Sequence, residues 1–526
     1  MIPVKVEKIS YHPSSRSYAV LLKDERSDLF LPILVGSFEA QSIALAIEVV
    51  DTPRPLTHDL ICDLITKVDG KLLAVNISKL NDGVFYASLK LSGDNFGTKT
   101  IDARPSDAIS IALRLNAQIY VTAEVIEEAG VGEDEVISDK QNILPKYSVE
   151  DLEIKLKKNI GNFKKSFKSF SPLICFAIKS NTNVNLIKEI AKFGLGADVV
   201  SLGELMKALK AGIKPNKIVF SGVGKTSEEI NFAVNKKILL INAESKSEIL
   251  EIERIAKKNK KNVDVGIRFN PNVDAKTLSQ ISTGKKENKF GIGEKDFLEL
   301  TKYIKKSKNL NLKCLSVHIG SQILEVKPYE NMLKALNKII KKANYSFEYI
   351  DLGGGMGIDY KNNKKMLNLK NYSRNIKRFL KNHNSKIIFE PGRSIVGNIG
   401  TLISRVTYIK EGHKKNFIIL DVAMNDLMRP ALYNSKHRIM PAIKTGKKVK
   451  KTYEFVGPIC ESTDKFLTIN NFQKLFEKDL IVICDVGAYG MSLSSNYNVR
   501  PKPIEILIKN YKIKVINKRQ KLTDIV

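Results

Sequence analysis

The chain has 526 residues, of which 43% are hydrophobic and 27% charged, a composition typical of a globular protein with two or three domains. No run of about 18 apolar residues and no basic-then-apolar leader occurs, so the sequence favours neither membrane insertion nor secretion. The five cysteines include no CxxC pair, which argues against a disulfide framework or a zinc site and predicts a reducing, cytoplasmic location.

The formal net charge of +30 comes from the part of the chain after residue 146. Residues 1–146 carry 15 basic and 21 acidic residues, a net charge of −6, whereas the remainder carries 71 basic and 35 acidic residues, a net charge of +36. The excess lysines lie in helix-like stretches such as 257–262, without interleaved aromatic residues. A solvated, lysine-rich surface that attracts polyanions without specificity is therefore favoured over a nucleic-acid groove.

The first 130 residues alternate strand-like and helix-like segments. Strands are predicted at 17–22 and 85–91 and apolar helices at 39–49 and 107–115, which is an α+β pattern. An acidic, polar stretch then runs to Pro145 and is typical of a linker. The predicted N-terminal domain is 1–132 and the linker 133–146.

From about residue 170, short apolar strands alternate with amphipathic helices. Examples are the strand at 217–221 with the helix at 228–234, and the strand at 238–241 with the helix at 247–256. Repeated βα units predict a parallel sheet, and their number favours a closed (β/α)8 barrel at 147–395. Beyond it, strands such as 453–456 and 480–484 predict a C-terminal β domain at 396–526.

Two motifs about two hundred residues apart carry the chemistry of this second region. Lys179 stands in the apolar run FAIKSN (176–181) before a polar loop, which suits a lysine that forms a Schiff base at a strand end. We expect burial to lower the pKa of Lys179. Glu390 precedes Pro-Gly-Arg393, where a carboxylate can face the pyridine nitrogen of pyridoxal phosphate and keep its ring an electron sink.

The glycine loop DLGGGMG (351–357) and His318 in HIGSQ complete this pattern, since backbone N–H groups of such a loop can close on a phosphate. Together these motifs resemble the barrel-type, alanine-racemase-like pyridoxal phosphate enzymes. Further stretches resemble the diaminopimelate decarboxylase family within that class, and the resemblance covers about 145–526. These stretches are 265–274 continuing to 281–291, 423–433, 457–464 and 487–492.

The resemblance implies a pyridoxal 5'-phosphate enzyme that acts on meso-2,6-diaminopimelate, and it implies a role for each matching residue. Lys179 and Cys460 would be catalytic, with Cys460 protonating the carbanion after CO2 is lost. The implied cofactor-binding residues are Lys179, His318, Gly354, Gly355, Glu390, Pro391, Gly392, Arg393 and Tyr489. The implied substrate-binding residues are Arg393, Arg429, Tyr433, Glu461 and Tyr489.

Two further expectations follow from the resemblance. Cys460 and Glu461 would reach the active site of a partner subunit, which implies a homodimer with shared sites. The implied arginines would bind carboxylates and Glu461 would bind the distal ammonium. Such a set suits a substrate that carries a carboxylate and an ammonium group at each end. Another basic amino acid decarboxylase, which would need acidic groups at the distal end, stays the alternative.

The chain departs from the family pattern at the start of this region. Family members begin with an extra strand and helix before a segment of the type Thr-Pro-x-Tyr-Val-Tyr-Ser, and only Leu144-Pro-Lys-Tyr-Ser148 remains here. Because the missing piece helps to build the β domain, we expect altered packing there. No catalytic position is lost.

The N-terminal region resembles the bifunctional nuclease domain over about 1–132, in the stretches 31–36, 39–40, 53–59 and 101–109. The resemblance implies cleavage of DNA and RNA. Oxygen and imidazole ligands for a divalent cation such as Mg or Mn, which would activate water, are available from Glu39, His58, Asp59, Asp102 and Asp107. Arg54 and Arg104 are candidates for holding a phosphate.

A second interpretation of the N-terminal region stays open. Ser106 and Asp107 after Pro105 are also typical of a helix start, and the arginines can pair with the carboxylates. The region would then be a binding or oligomerisation module without chemistry, and its net charge of −6 counts against tight polyanion binding. Three hypotheses result: two enzymes in one chain, a decarboxylase with an attached module, or a barrel disabled by the fusion.

Overall fold

The structure, a computed structural model, describes residues 1–12, 17–27, 29–48, 54–81, 83–132, 152–275, 283–284, 287–360, 363, 365–413, 415–443, 451–509 and 512–526. The predicted linker at 133–146 lies outside these residues. The chain divides into two compact units, the first Met1–Tyr147 with Ile443–Lys447 and the second Ser148–Ala442 with Lys448–Val526. Within the described residues, no helix is long and apolar enough to cross a membrane.

The first unit is a mixed sheet with helices, as the alternating pattern predicted. Its strands are β1 (Ile2–His12), β2 (Ser17–Asp24), β3 (Leu29–Val35), β4 (Gly70–Asn81), β5 (Val84–Gly93), β6 (Gly97–Ala103), β7 (Ile119–Val121) and β8 (Val131–Gly132), and its helices are α1 (Ser37–Ile47), α2 (Thr57–Lys67), α3 (Pro105–Leu115) and α4 (Ala123–Ala129). The strand order is β6-β5-β4-β7-β1-β2-β3-β8.

Helix α3 shows why the core of this unit forms where it does. Pro105 starts the helix and Asn116 ends it in the left-handed conformation, so both ends follow local chemistry. Between them Ala108, Ile109 and Ala112 are fully buried against the sheet. The same helix carries Asp107 and Ser110 toward helices α1 and α2, which it contacts.

The second unit opens with a closed barrel of eight parallel strands, as predicted. The strands are β9 (Leu173–Ala177), β10 (Gly196–Val199), β11 (Ile218–Phe220), β12 (Leu240–Ala243), β13 (Val263–Arg268), β14 (Leu310–Ser316), β15 (Tyr349–Asp351) and β16 (Lys386–Phe389). They follow one another around the barrel, and β16 closes on β9. The helices are α5 (Leu152–Ser166), α6 (Val184–Lys192), α7 (Leu202–Lys210), α8 (Ser227–Lys236), α9 (Lys246–Lys258), α10 (Glu294–Lys306), α11 (Lys327–Ala343), α12 (Leu369–Leu380) and α13 (Arg393–Val396).

The barrel strands are short and buried on both faces, which explains their uninterrupted apolar runs. Hydroxyl side chains cap three of the helices that return the chain: Ser201 for α7, Thr226 for α8 and Ser245 for α9. Parallel strands place all their carboxyl ends at one face of a barrel, where the loops that follow can build a site.

The C-terminal part of the second unit is a β domain, again as predicted. Its elements are β17 (Thr401–Lys410), β18 (Asn416–Leu420), α14 (Arg429–Tyr433), β19 (Ile439–Pro441), β20 (Thr452–Val456), β21 (Lys465–Asn470), β22 (Leu480–Cys484), β23 (Glu505–Lys509) and β24 (Lys512–Asn517). Six strands form one sheet in the order β19-β22-β17-β18-β20-β21, and β23 pairs with β24 separately. Val406, Ile418, Phe455 and Ile481 form the centre of its core.

An apolar cavity of about 340 Å3 lies inside the second unit beside this hairpin. Its lining includes Leu186 of α6, Leu402 of β17 and Ile506 and Ile508 of β23. The first half of β17, Thr401 to Arg405, pairs with β22 on one side, whereas β18 pairs with the second half from Val406 onward. In the described structure the β domain therefore has unfilled apolar volume beside the half of β17 that pairs with β22.

Candidate active site

Lys179 lies at the carboxyl end of β9, in a single helical turn at Ile178–Ser180. Its Nζ donates to Oδ2 of Asp198 at 2.7 Å, and Asp198 is fully buried at the end of β10. Burial alone would lower the pKa of Lys179, but the charge of Asp198, with smaller contributions from Glu390 and Tyr489, outweighs it and raises that pKa. The expected lowering is therefore wrong, because a buried carboxylate contacts the amine.

Glu390 and Asp351 form a buried acidic pair in the same mouth of the barrel. Glu390 follows β16 and accepts from Ser221 Oγ at 3.4 Å, while Asp351 ends β15 and accepts from Asn242 at 3.1 Å. Burial and the mutual proximity of Glu390, Asp198 and Asp351 raise the pKa of Glu390 well above its ordinary value. Its carboxyl group is thus poised to share a proton with a partner placed in the barrel mouth.

The glycine loop packs between His318 and the Glu390 segment. The N–H of Gly354 donates to Nδ1 of His318 at 3.1 Å, and Gly353 accepts from the N–H of Glu390 at 2.9 Å. A Cβ added at Gly354 would lie 2.2 Å from the carbonyl oxygen of Glu390, and Gly355 has a φ of +87°. Burial, with the charges of Arg268 and Lys179, lowers the pKa of His318 well below its ordinary value, so its ring is neutral.

Arg393 is a buried cation held by neutral groups. It donates to the hydroxyl of Tyr360 at 2.8 Å and to Ser321 Oγ at 2.9 Å, and its guanidinium lies 4.8 Å from the ring centroid of Tyr489. Tyr489 has a φ of 57°, and its N–H donates to the carbonyl of Ser180, next to Lys179. Such a strained backbone is typical of functional sites. Pro391 and Gly392, between Glu390 and Arg393, are buried.

Arg429 is a second buried cation in this cluster. Its guanidinium lies 4.5 Å from the Tyr360 ring centroid, and its Nη1 is 2.8 Å from Nε2 of His437. Burial, and the charge of Arg393, lower the pKa of Arg429. Among the described residues, no carboxylate lies within ion-pair distance of Arg393 or Arg429, and the Nε of each is buried without a hydrogen-bond partner. The pair is a ready receptor for anions.

The remaining predicted residues of this unit lie at its surface. Tyr433 is half-buried at the end of α14. Cys460 and Glu461 are exposed in the turn after β20, where Glu461 accepts from Tyr497. Within the described part of the chain, no hydrogen bond or ion pair joins these two residues to the Lys179 cluster.

Sequence reasoning missed Asp198, Tyr360 and His437. Asp198 carries a detectable signal, since an acid inside an apolar barrel strand must have a partner. His437 follows the recognised stretch 423–433 by four residues, and a histidine outside a motif gives no comparable signal. Tyr360 lies just past the glycine loop and has none.

In the first unit, four predicted residues converge at the ends of α1, α2 and α3. His58 Nε2 is 3.0 Å from Asp107 Oδ1, and Arg104 donates to Asp107 at 2.8 Å and to Glu39 at 3.4 Å. His58 Nδ1 is 2.9 Å from the buried Ser42 Oγ. Both ring nitrogens of His58 are thus occupied within the domain.

The other predicted carboxylates of this unit form no hydrogen bond or ion pair with the cluster among the described residues. Asp59 pairs with Arg114 at 2.6 Å, which lowers the pKa of Asp59, and Asp102 is exposed on β6 opposite Ser88. Arg54 is exposed ahead of α2. Within the part of the chain that the structure describes, no three His, Cys, Asp or Glu side chains are arranged as metal ligands. The predicted cation-ligand set is therefore not assembled: Arg104 pairs with Glu39 and Asp107, and Arg114 pairs with Asp59.

Comparisons with known proteins agree with both units. The family model for the pyridoxal-binding domain of pyridoxal-dependent decarboxylases matches residues 153–397, and the bifunctional nuclease domain model matches residues 20–134. A diaminopimelate decarboxylase of Helicobacter pylori is 44% identical over 374 residues, which are 70% of this chain and 92% of that protein. A diaminopimelate decarboxylase of Aquifex aeolicus is 40% identical over 69% of this chain and 87% of its own length.

Solved structures give the same result. The crystal structure of diaminopimelate decarboxylase from Helicobacter pylori complexed with L-lysine matches with a TM-score of 0.66 at 42% identity, covering 71% of this chain and 94% of that one. Both the sequence and the fold of the second unit are thus similar to those of these relatives. Behind an N-terminal bifunctional nuclease domain, the chain belongs to the diaminopimelate decarboxylase family.

Proposed function

We propose that the second unit decarboxylates meso-2,6-diaminopimelate to L-lysine and CO2, the last step of lysine synthesis, with pyridoxal 5'-phosphate as cofactor. The observation that carries this proposal is the pair of buried arginines, Arg393 and Arg429, which have no carboxylate within ion-pair distance in the described part of the chain. Two guanidinium groups that bond only neutral side chains, in the same unit as Lys179 and the buried Glu390, suit a phosphorylated cofactor and a substrate that carries carboxylates.

The residues of the barrel mouth fit the cofactor. Gly354 packs against the carbonyl of Glu390, and Gly392 packs against Ser180, where an added Cβ would lie 2.8 Å from Oγ. A larger residue at either position would clash with these neighbours. The unpartnered Nε of Arg393 is available to a phosphate. Lys179 would hold the cofactor covalently, Glu390 its pyridine nitrogen, His318 the face of its ring, and Gly354, Gly355, Arg393 and Tyr489 its phosphate.

When bound, pyridoxal phosphate supplies an electron sink for the pair released as the substrate carboxylate leaves as CO2. The other steps belong to this chain's residues. Glu390, with its raised pKa, holds a proton at the pyridine nitrogen, and Asp198 holds Lys179 at the strand end. Arg393 and Arg429, with Tyr433 and Tyr489, bind the carboxylates of the substrate.

The proposed enzyme works as a homodimer. Cys460 and Glu461 are exposed at the surface of the β domain, which suits residues that reach into a partner subunit. There Cys460 delivers the proton that replaces CO2, and Glu461 binds the distal ammonium. All five cysteines are free thiols, which supports a cytoplasmic location.

The deciding experiment measures lysine release from meso-diaminopimelate with added pyridoxal phosphate. The native chain is expected to form lysine and to absorb above 400 nm, and Lys179→Ala to do neither. Lys210→Ala, an exposed lysine on α7, is the matched control and should behave as the native chain does. A native chain that binds cofactor yet releases no lysine would contradict the proposal.

The same assay separates the alternative substrate class. Ornithine, arginine and lysine carry no distal carboxylate, so they would leave one buried guanidinium without a counterion. We expect their turnover to be far below that of diaminopimelate. A preference for any of them would favour the alternative of another basic amino acid decarboxylase.

For the first unit we propose nucleic-acid cleavage at the cluster of Glu39, His58, Arg104 and Asp107, where Mg or Mn from solution would have to displace Arg104 from the two carboxylates. The family match and the exposed guanidinium of Arg104, 69% accessible, support it. The test is cutting of plasmid and RNA with and without chelator. Asp107→Ala should abolish cutting and Asp102→Ala, outside the cluster, should not. Absence of cutting by the native chain would favour an interaction module.

A further inference from the structure

His437 is the least exposed polar side chain of the arginine cluster, with 1% of its surface accessible. It lies between α14 and β19, in the β domain. Its Nδ1 is 2.9 Å from the carbonyl oxygen of Cys484, its Nε2 is 2.8 Å from Nη1 of Arg429, and its ring meets that of Tyr360 edge-on at 5.1 Å. Every polar atom of the imidazole is thus engaged.

These contacts determine the protonation of the ring. A carbonyl oxygen only accepts, so Nδ1 must carry the hydrogen, and a guanidinium only donates, so Nε2 must be the bare acceptor. His437 is therefore a neutral imidazole of one tautomer. Burial and the neighbouring charge of Arg429 lower its pKa to about 3, in agreement with this assignment.

We propose that His437 is a positioning residue, which fixes Arg429 as the receptor for a substrate carboxylate while leaving its charge uncompensated. This inference rests on the function proposed above and adds a residue to it. By accepting from Nη1, His437 orients the guanidinium and leaves Nε, which is buried and unpartnered, for the ligand.

Other arginines of this chain show why the neutral partner matters. Arg268 pairs with Glu244 at 2.9 Å, Arg114 with Asp59 at 2.6 Å and Arg438 with Asp485 at 3.1 Å. A carboxylate neutralises a guanidinium and competes with an incoming anion, whereas an imidazole orients it without doing either. Within the second unit, Arg429 and Arg393 are the buried arginines that bond only neutral groups in the described structure.

His437 also ties Arg429 to the rest of the site. Cys484, whose carbonyl holds the imidazole, ends β22, and the turn that follows carries Tyr489. The N–H of Tyr489 in turn donates to the carbonyl of Ser180, beside Lys179. One strand end therefore sets the position of both the arginine receptor and the tyrosine next to the catalytic lysine.

The test compares His437→Gln with His437→Glu, two side chains of equal size whose oxygen can accept from Arg429. We expect Gln to keep KM for diaminopimelate within a few-fold of the native value. Glu should raise KM about ten- to hundred-fold, because its carboxylate would neutralise Arg429 and compete with the carboxylate of the substrate. The value of kcat should change little, because this competition weakens the binding of substrate and transition state equally. The affinity for L-lysine, measured by titration of the cofactor-loaded protein, should fall in parallel with the rise in KM.

Several outcomes overturn the inference. If His437 had only a structural role, Glu would serve Arg429 as well as Gln does, and equal KM values for the two variants would show that. A loss confined to kcat would also contradict it. His383→Gln and His383→Glu, at a half-buried histidine bonded to Asn337 on α11, are the matched controls and should leave KM unchanged.

The fold of each variant is checked by its absorbance above 400 nm and its melting temperature. If the His437→Glu variant does not fold, the His437→Leu variant is measured in its place. The inference then requires that KM rise in His437→Leu and stay near the native value in His437→Gln. Failure of the proposed function is distinguishable, because in that case the native chain itself would release no lysine.

Discussion

At the scale of single residues, the contact between Lys179 and Asp198 decides how the lysine becomes reactive. The amine must be neutral to attack a carbonyl group, yet the buried carboxylate at 2.7 Å raises its pKa. Asp198 thus stabilises the protonated form of Lys179. The amine loses its proton when another cation or a substrate group enters the barrel mouth and weakens this interaction.

Asp198→Asn tests this directly. The variant keeps the shape and a hydrogen-bonding group but removes the charge, so the pKa of Lys179 should fall. The rate of cofactor loading, followed by absorbance above 400 nm, should then reach half its maximum at a lower pH than in the native chain. An unchanged pH profile would mean that Asp198 does not control the amine. Asp264→Asn, on the outside of β13, is the control.

The sequence predicted the residues that carry chemistry better than the residues that hold them. Lys179, Glu390 and Arg429 stand in motifs whose residue types the proposed reaction requires. Asp198 and His437 act through contacts between segments that are distant in sequence: 19 residues separate Asp198 from Lys179 and 47 separate His437 from Cys484. The pKa of Lys179 was predicted with the wrong sign for the same reason, since its partner on the neighbouring strand β10 was not foreseen.

At the scale of elements, the glycine loop after β15 is a packing device as well as a binding surface. Gly354 lies against the Glu390 carbonyl, and the N–H groups of Gly353 and Gly354 already bond Asp351 and His318. These hydrogen bonds fix the acid and the imidazole relative to each other. The loop therefore holds the side chains of Asp351 and His318 in position. Its glycine content alone did not predict this role.

Gly354→Ala should separate these segments. An added Cβ at 2.2 Å from a backbone oxygen forces the loop away from Glu390, at a cost of about 1–3 kcal/mol in the free energy of unfolding. We expect weaker cofactor binding, measured by titration, and a lower melting temperature. Gly224→Ala, where no atom lies within 4 Å of the added carbon, is the control and should change neither.

The order of elements was predictable because each obeys a local rule. The barrel strands are continuous apolar runs, and capping residues such as Ser201 and Thr226 mark where helices begin. The cavity beside β23 was not predictable, because it arises from volume that several distant segments leave unfilled. The family's first strand and helix are missing here, which predicts altered packing in the β domain. That prediction does not include the position or form of the cavity.

At the scale of the whole molecule, the proposed dimer can be tested by mixing inactive subunits. Lys179→Ala lacks the lysine and Cys460→Ala the proton donor, so each homodimer should be nearly inactive. If the donor comes from the partner subunit, a mixed dimer has one complete site, and an equal mixture should recover about a quarter of native lysine formation. Recovery should be absent if each subunit uses its own Cys460.

The two buried neutral histidines make the stability of the second unit depend on pH. His437, with a pKa lowered to about 3, and His318, with a pKa lowered well below its ordinary value, bind a proton near pH 6.5 when unfolded but not when folded. The unfolded state therefore gains protons first as the pH falls. Their contribution to stability is complete above pH ~6.5 and is lost progressively below it.

Buried acids act in the opposite direction, so the native curve alone does not isolate this effect. Burial raises the pKa of Glu204 to about 7, and a group whose folded pKa is raised stabilises the folded state as the pH falls. Comparison with His437→Gln cancels these contributions, because the variant keeps every acid. Relative to that variant, the native second unit should lose about 1.4 kcal/mol of stability per pH unit between pH ~6 and ~4. Calorimetric melting of both proteins across this range measures the difference, and parallel curves would mean that His437 is protonated in the fold.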